Sequence, residues 1–324
     1  MTNNYCTLFD SNYIAFGMNL IESLKEHDEN GIIYVITLDM NAHDELIRLN
    51  FNNVVLIDVS DIEKAYPQLK IIKPKRSKAE YFFTLSPAVC KYIMELFTDI
   101  KRLTYLDSDL YFFSSPSPLF EEISDSSIAI IEHRFSFLTR SNIKYGRFNV
   151  GWISFSRDDQ GLECLNKWYH DCVEWCFQKV EPKRYADQKY LDIWPLNYRN
   201  LKIIKHKGAN LAPWNIANYK IKKINNQVYV DEDKLIFFHF ANIKQIGVLT
   251  FKTNLSRVLV RTSGIIKEDI YIPYLKSLSE KLQKRYLKIL SKKDINHKSF
   301  FINILVKLYR SLRDLIYNDI IELK

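Results

Sequence analysis

The sequence predicts an α/β fold: a central, mostly parallel sheet with helices on both faces, followed by a helical C-terminal tail. Three observations lead there. Over residues 5–106, short apolar runs alternate with helix-periodic stretches, the order that builds parallel strands joined by crossover helices. The run at 32–38 is continuously apolar, as a strand buried on both faces requires. Glycine and proline are scarce, at 8 and 9 among 324 residues, which excludes collagen-like and long disordered chains, while 47% hydrophobic residues allow a sizeable core.

The elements follow in order. Residues 5–9 form a first strand, and Asp10 or Ser11 caps a helix whose Ile14, Met18, Ile21 and Leu24 share one face. Residues 32–38 form a second strand, 42–49 a helix and 54–57 a third strand. A basic loop at 70–78 leads into a helix over 78–96, with Pro87 as the place where it could break, and 102–106 form the fourth strand. Beyond it the pattern is less regular. Strands are expected at 127–131, 149–155, 201–204 and 235–240, a helix over 160–177, and a short helix over 186–193 closed by Trp194-Pro195. From Pro273 onward the chain reads as helical and basic. The expected division is a domain over 1–250, with halves 1–113 and 114–250, and a basic helical extension over 251–324.

Lys and Arg number 46 against 38 Asp and Glu, a net charge of +8. Nucleic acid, an anionic membrane surface or a phosphorylated substrate would each suit that balance. Eleven of the cations fall between residues 276 and 313, and no nucleic-acid motif accompanies them, so nucleic acid is not expected as a partner. Cys164, Cys172 and Cys176 fall on one helix face with Leu165 and Tyr169, which reads as core rather than as a metal site. An odd count of five cysteines, and a start without a basic and apolar leader, point to a reducing cytoplasm. No run reaches the ~18 apolar residues of a membrane span.

Doubly wound sheets bind ligands at the carboxyl ends of their strands. Two acidic motifs sit there: Asp10-Ser11-Asn12-Tyr13 after the first strand and Asp107-Ser108-Asp109 after the fourth. Neither G-x-G-x-x-G nor a P-loop is present, so a nucleotide site here must neutralise phosphate by other means, such as a divalent metal held by carboxylates. In an extended segment residues i and i+2 point to the same side, so Asp107 and Asp109 could reach one cation. A solvated turn is the other reading. His239, inside the apolar run 235–240, is either a core histidine or a third ligand.

Five segments in this order resemble a GT-A fold glycosyltransferase of glycosyltransferase family 8, which includes bacterial lipooligosaccharide galactosyltransferases and glycogenin. They are Thr7 to Tyr13, the Tyr105-Leu-Asp-Ser-Asp109 motif, Phe148-Asn-Val-Gly151, Asp187-Gln188 and His239. The resemblance implies a Rossmann-like nucleotide-diphospho-sugar transferase fold and a sugar donor carrying a nucleotide diphosphate, UDP in the first instance. Thr7, Asp10, Asn12 and Tyr13 would hold the nucleoside, with Asp10 on the base and Tyr13 stacked upon it. Asp107, Asp109 and His239 would bind Mn²⁺ or Mg²⁺, with Ser108 beside the donor. Asn149 and Gly151 would line the donor-sugar pocket, Asp187 would bind sugar hydroxyls, and Gln188 would sit beneath the anomeric carbon. Retention of configuration follows for the family. The acceptor would be a glycan or a lipid-linked molecule of a bacterial surface polysaccharide.

Two departures stand out. Where the family often carries a donor-facing arginine this chain has Phe83, leaving Arg76 or Lys78 as the substitute cation. The C-terminal metal and phosphate motif is reduced to His239 and an offset Lys244. Pro213-Trp214-Asn215 would shape the acceptor side or form a turn with Trp214 as core. In the tail, Phe301, Leu305, Leu308, Leu312 and Leu315 form an apolar stripe. That suits a helix lying on anionic lipid at the inner face of the cell membrane, or one packed on the protein or on a second subunit. Rival readings are a nucleotidyltransferase, disfavoured by the missing glycine loop, a nucleic-acid-binding protein, and a degenerate, non-catalytic member of the transferase fold.

Overall fold

The computed structural model describes residues 2–289 and 312–323. The first half is β1 (Asn4–Phe9), α1 (Ile14–His27), β2 (Ile32–Thr37), α2 (Met40–Leu49), β3 (Val54–Asp58), α3 (Val59–Ala65), α4 (Gln68–Ile72), α5 (Lys78–Leu96) and β4 (Arg102–Leu106), the expected alternation. Next come β5 (Leu110–Phe112), α6 (Ser117–Glu122), β6 (Ile128–Glu132), β7 (Phe148–Ser156), α7 (Asp159–Glu174), α8 (Trp194–Asn197) and β8 (Leu201–Ile204). The last part holds β9 (Ile221–Ile224), β10 (Gln227–Val230), β11 (Asp233–Lys234), β12 (Phe237–His239), β13 (Lys244–Gln245), β14 (Thr250–Lys252), α9 (Ile272–Ile289) and β15 (Ile320–Glu322).

Seven strands form the central sheet in the order β3-β2-β1-β4-β7-β6-β8. All neighbours pair in parallel except β7, which runs antiparallel to β4 and β6. The strands are largely apolar because both faces are covered. Alternate residues serve opposite layers. Cys6, Leu8, Tyr34 and Ile36 pack with Leu85, Val89 and Ile93 of α5 and with Trp168 of α7. Tyr5, Phe9, Ile33 and Val35 pack with Ile14, Ile21 and Leu24 of α1. All five cysteines are buried and free, and the three on or beside α7 lie in the first of these layers.

Local chemistry sets the element ends. Ser77 and Glu80 form a reciprocal capping box at the start of α5, which then runs unbroken through Pro87. The missing Pro87 N–H costs one helical bond, but burial of Tyr81, Leu85, Val89 and Ile93 along the same helix outweighs it. Trp194-Pro195 does not end a helix as expected. Pro195 instead occupies the first turn of α8, where its absent N–H would be unpaired in any case. Nor does Asp10 sit at the helix cap, since α1 begins only at Ile14.

Of the chain beyond residue 250, the described residues 251–282 and 312–323 pack against the rest of the fold. A π-helical turn (Ile266–Tyr271) leads into α9. On α1, Asn19 donates to the Tyr274 carbonyl at 3.3 Å and accepts from the Ser277 hydroxyl at 2.9 Å. The Phe240 and Tyr274 rings stack 3.7 Å apart. Strand β15 adds to β14. Of the expected tail stripe, Phe301, Leu305 and Leu308 lie outside the described residues, while Leu312 and Leu315 are exposed. No described helix is long and apolar enough to cross a membrane.

Candidate active site

A cavity of about 480 Å³ opens at the carboxyl ends of β1 and β4. The turn after β1 brings Asp10, Asn12 and Tyr13 to its wall, the turn after β4 brings Asp107, Ser108 and Asp109, and His239, Asp187 and Gln188 line it too. Those nine residues are thus brought together as the sequence suggested. Thr7, Asn149, Gly151 and Lys244 do not line it. Thr7 is fully buried inside β1, and Lys244 is exposed on β13.

The Asp107 and Asp109 carboxylates meet through a turn rather than an extended segment. Leu110 donates to the Asp107 carbonyl at 3.3 Å, and the chain then folds back as β5. Antiparallel pairing of β5 with β12 sets His239 opposite Leu110, and Phe240 donates its N–H to the Asp109 carbonyl at 2.9 Å. His239 Nε2 consequently stands 3.0 Å from Asp109 Oδ1 and 3.8 Å from Asp107 Oδ2. One ligand atom from each of the three residues lies within 4.8 Å of the others. The two carboxylates suit Mn²⁺ or Mg²⁺, and the imidazole beside them suits a transition ion such as Mn²⁺ better than Mg²⁺.

Charge in this cluster is under-compensated. Burial pushes the Asp107 carboxyl up to about 6, against the pull of His239. Burial also works to raise Asp109, but the His239 charge and hydrogen bond hold it below its ordinary value. Burial works to lower His239, and the Asp109 carboxylate carries it above its ordinary value instead. Asp187 is pushed up to about 8 by burial and then by Asp107. A divalent cation here would favour the ionised form of the two raised carboxyls, Asp107 and Asp187.

Behind His239 runs a chain of hydrogen bonds. Its Nδ1 donates to Asn149 Oδ1 at 3.2 Å, the Asn149 amide donates to His133 Nε2 at 3.3 Å, and His133 Nδ1 donates to the Arg147 carbonyl at 3.3 Å. The carbonyl can only accept, so every polarity in the chain is fixed and His239 Nε2 is left to face the carboxylates. Burial holds His133 down at about 3, so it stays neutral. Gly151 makes room: a Cβ there would lie 2.5 Å from Asn149 Oδ1 and 2.9 Å from His239 Nδ1. No local pattern marks His133, because its role depends on packing between β6 and β7. Trp214, read as acceptor side or core, sets its ring edge-on to His239 at 5.0 Å, and its indole N–H has no partner among the described residues.

After β1, Asp10 Oδ1 accepts from the N–H groups of Asn12 and Tyr13 at 3.0 and 3.1 Å, closing the turn ahead of α1. Its Oδ2 accepts from the Asn12 side chain and pairs with Lys78, whose ammonium lies 5.5 Å over the Phe82 ring. Tyr13 is half exposed beside them. Arg76, the other candidate cation, is committed elsewhere, bonding the Cys172 and Val173 carbonyls at 2.7 Å each at the end of α7. Lys78 is therefore the cation at the cleft, and Phe83 lines it as an apolar wall.

Asp187 and Gln188 follow Ala186, which takes a left-handed φ of +46°. That conformation costs about 1–2 kcal/mol for a residue with a Cβ. It is held by Trp168 Nε1 donating to the Asp187 carbonyl at 2.9 Å and by Gln188 Nε2 donating to the Tyr145 carbonyl at 2.9 Å.

The chain is 32% identical over 281 residues to the uncharacterised Bacillus subtilis protein YfnD, covering 86% of this chain and 89% of that one. It is 29% identical over 263 residues to B. subtilis YfnF, covering 78% and 85%. No protein-family model matches. Similar solved structures include the glycosyltransferase GlyE of Streptococcus pneumoniae (16% identity, TM-score 0.49, 91% of this chain and 66% of that one). The galactosyltransferase LgtC with donor and acceptor analogues matches at 20% identity and TM-score 0.44, over 66% and 77%. Mouse xyloside xylosyltransferase 1 matches at 14% identity and TM-score 0.46, over 75% and 98%. All three likenesses are distant.

Proposed function

We propose, for a chain that belongs to the family of Bacillus subtilis YfnD, that it is a glycosyltransferase moving a sugar from a nucleotide-diphosphate donor to a glycan or lipid-linked acceptor. The observation that carries this is the meeting of Asp107, Asp109 and His239 in the cleft that also holds Asp10 and Tyr13. A cation at these three side chains and a planar base beside Tyr13 would share one cavity of about 480 Å³, a volume suited to a small ligand.

Tyr13 offers its exposed ring to the base, and Asp10 with Lys78 offers an acceptor and a donor to the base edge. That pairing favours a base with adjacent N–H and C=O groups, and UDP is the donor nucleotide we expect. Asp107, Asp109 and His239 would hold Mn²⁺ or Mg²⁺, which neutralises the diphosphate leaving group as the glycosidic bond breaks. Asp187, neutral near pH 7 when the site is empty of charge partners, can donate as well as accept toward sugar hydroxyls. Gln188 directs its side chain from a fixed carbonyl anchor and would stabilise charge on the sugar face opposite the acceptor. Retention of configuration is the expected outcome, and surface polysaccharide synthesis at the inner membrane face the expected setting.

The test is release of the nucleotide, UDP, GDP or CMP, from a panel of UDP-, GDP- and CMP-sugars with Mn²⁺. Turnover of one donor that vanishes in Asp109→Asn supports the reading. No turnover or hydrolysis of any donor by a folded protein would leave a degenerate member of the fold.

A further inference from the structure

The segment between β6 and β7 carries no carboxylate from His133 to Arg147. Of its cations, Arg134 is turned onto the His206 and Ala209 carbonyls and Arg147 pairs with Glu132, while Arg140 and Lys144 are exposed. The segment is an arch clamped at both feet. On one side Ser136 donates to the Trp214 carbonyl at 3.0 Å. On the other, Lys189 donates to the Lys144 carbonyl at 2.7 Å, next to the Gln188–Tyr145 bond. The arch therefore stands at the rim of the cleft, between Trp214 and Gln188. Its crest is apolar and open to solvent: Phe137 is 74% exposed, Leu138 50% and Ile143 51%. The Arg140 guanidinium lies 4.3 Å over the Phe137 ring.

Exposed apolar residues scattered singly need no explanation, but three within seven residues, interleaved with cations and free of carboxylates, are a different case. Neither half of the composition suits a protein core. Together they suit a surface that is negatively charged outside and apolar just beneath, with the basic groups at headgroup level and the rings below them.

We infer that the 134–147 arch docks the protein on an anionic lipid surface and brings the mouth of the cleft to it. The neighbouring stretch 179–189 extends the charge: it carries Lys179, Lys183, Arg184 and Lys189, and Glu181 is held by Arg184 and Lys179. The arch is a different stretch of sequence from the basic C-terminal residues. It goes beyond the transferase reading, and vesicle binding tests it whether or not the protein transfers sugar.

The experiment is co-sedimentation of the full chain with vesicles of phosphatidylcholine alone and of phosphatidylcholine with phosphatidylglycerol. Binding only to the anionic vesicles is expected. Each cation near such a surface contributes about a factor of five, so Arg140→Ser with Lys144→Ser should weaken binding by about 25-fold. Phe137→Ser with Leu138→Ser should also weaken it by at least about tenfold, through the apolar half alone. All four side chains are exposed, so melting temperature should not move. Lys307→Ser with Arg310→Ser, in the tail, is the comparison. Three results would overturn the inference: no binding to either vesicle, binding lost with the tail pair while both arch pairs keep it, or equal binding to neutral vesicles. Retention of single-stranded nucleic acid instead of vesicles, lost in the arch variants, would assign the arch to a different partner.

Discussion

Asn149 accepts from His239 Nδ1 at 3.2 Å and, through its amide, donates to His133 at 3.3 Å, so one side chain fixes which imidazole nitrogen faces the two carboxylates. Outer partners of a metal-ligating histidine typically contribute 10–100-fold to metal affinity. Asn149→Ala should therefore weaken Mn²⁺ binding, read by calorimetry, by about 10–100-fold. His133→Ala should act in the same direction but less, because Asn149 keeps its bond to Gly151 N–H at 3.1 Å. Unchanged Mn²⁺ affinity in both variants would remove the relay from the account.

Gly151→Ala probes the same contact from the backbone. The added Cβ would meet Asn149 Oδ1 at 2.5 Å, inside any real contact, and must push Asn149 or His239 aside. We expect a loss of about 1–3 kcal/mol in stability together with weaker Mn²⁺ binding. A variant as stable and as metal-competent as the wild type would show that the strand can move away freely.

Lys78→Met separates binding from stability. The Lys78 side chain is 62% exposed, so its pair with Asp10 contributes at most about 1 kcal/mol to the fold. Beside a ligand the same ammonium makes a charge-assisted hydrogen bond, so nucleotide affinity should fall by about tenfold while melting temperature barely shifts. The measurement is nucleotide titration beside thermal unfolding. An unchanged affinity would make Lys78 a plain surface lysine.

Asp187 carries a pH signature. Its folded carboxyl is raised from 3.8 to about 8, so the native state holds a proton that the unfolded chain releases above pH 4. Its contribution to stability is full below pH 4 and declines as pH rises toward 8. The slope is about 1.4 kcal/mol per pH unit while the difference lasts. Asp187→Asn cannot titrate and should flatten that decline between pH 5 and 8, in protein stripped of metal with a chelator. Parallel stability curves for the two proteins would mean that the carboxyl ionises normally.

The alternating half of the fold was legible because strands buried on both faces must be mostly apolar, and β1, β2 and β4 are. The two aspartates were legible because they follow β4 directly. Their geometry was not: a turn closed by Leu110, not an extended segment, brings them together. That His239 would reach them depends on β12 pairing with β5, some 130 residues away, which no local pattern encodes. The antiparallel insertion of β7 and the packing of Tyr274 on Phe240 were invisible for the same reason. Pro87 read as a break because propensity is local, whereas the burial that keeps α5 intact is not.

The central claim is that metal and nucleotide share one cleft. Thermal unfolding with UDP, GDP, CMP and ADP, each with and without Mn²⁺, on wild type and Asp109→Ala tests it most directly, because a ligand that binds only the native state raises the melting temperature. The account predicts a shift with UDP that needs Mn²⁺ and is absent in the variant. No shift with any nucleotide, or one that persists unchanged in Asp109→Ala, would contradict it.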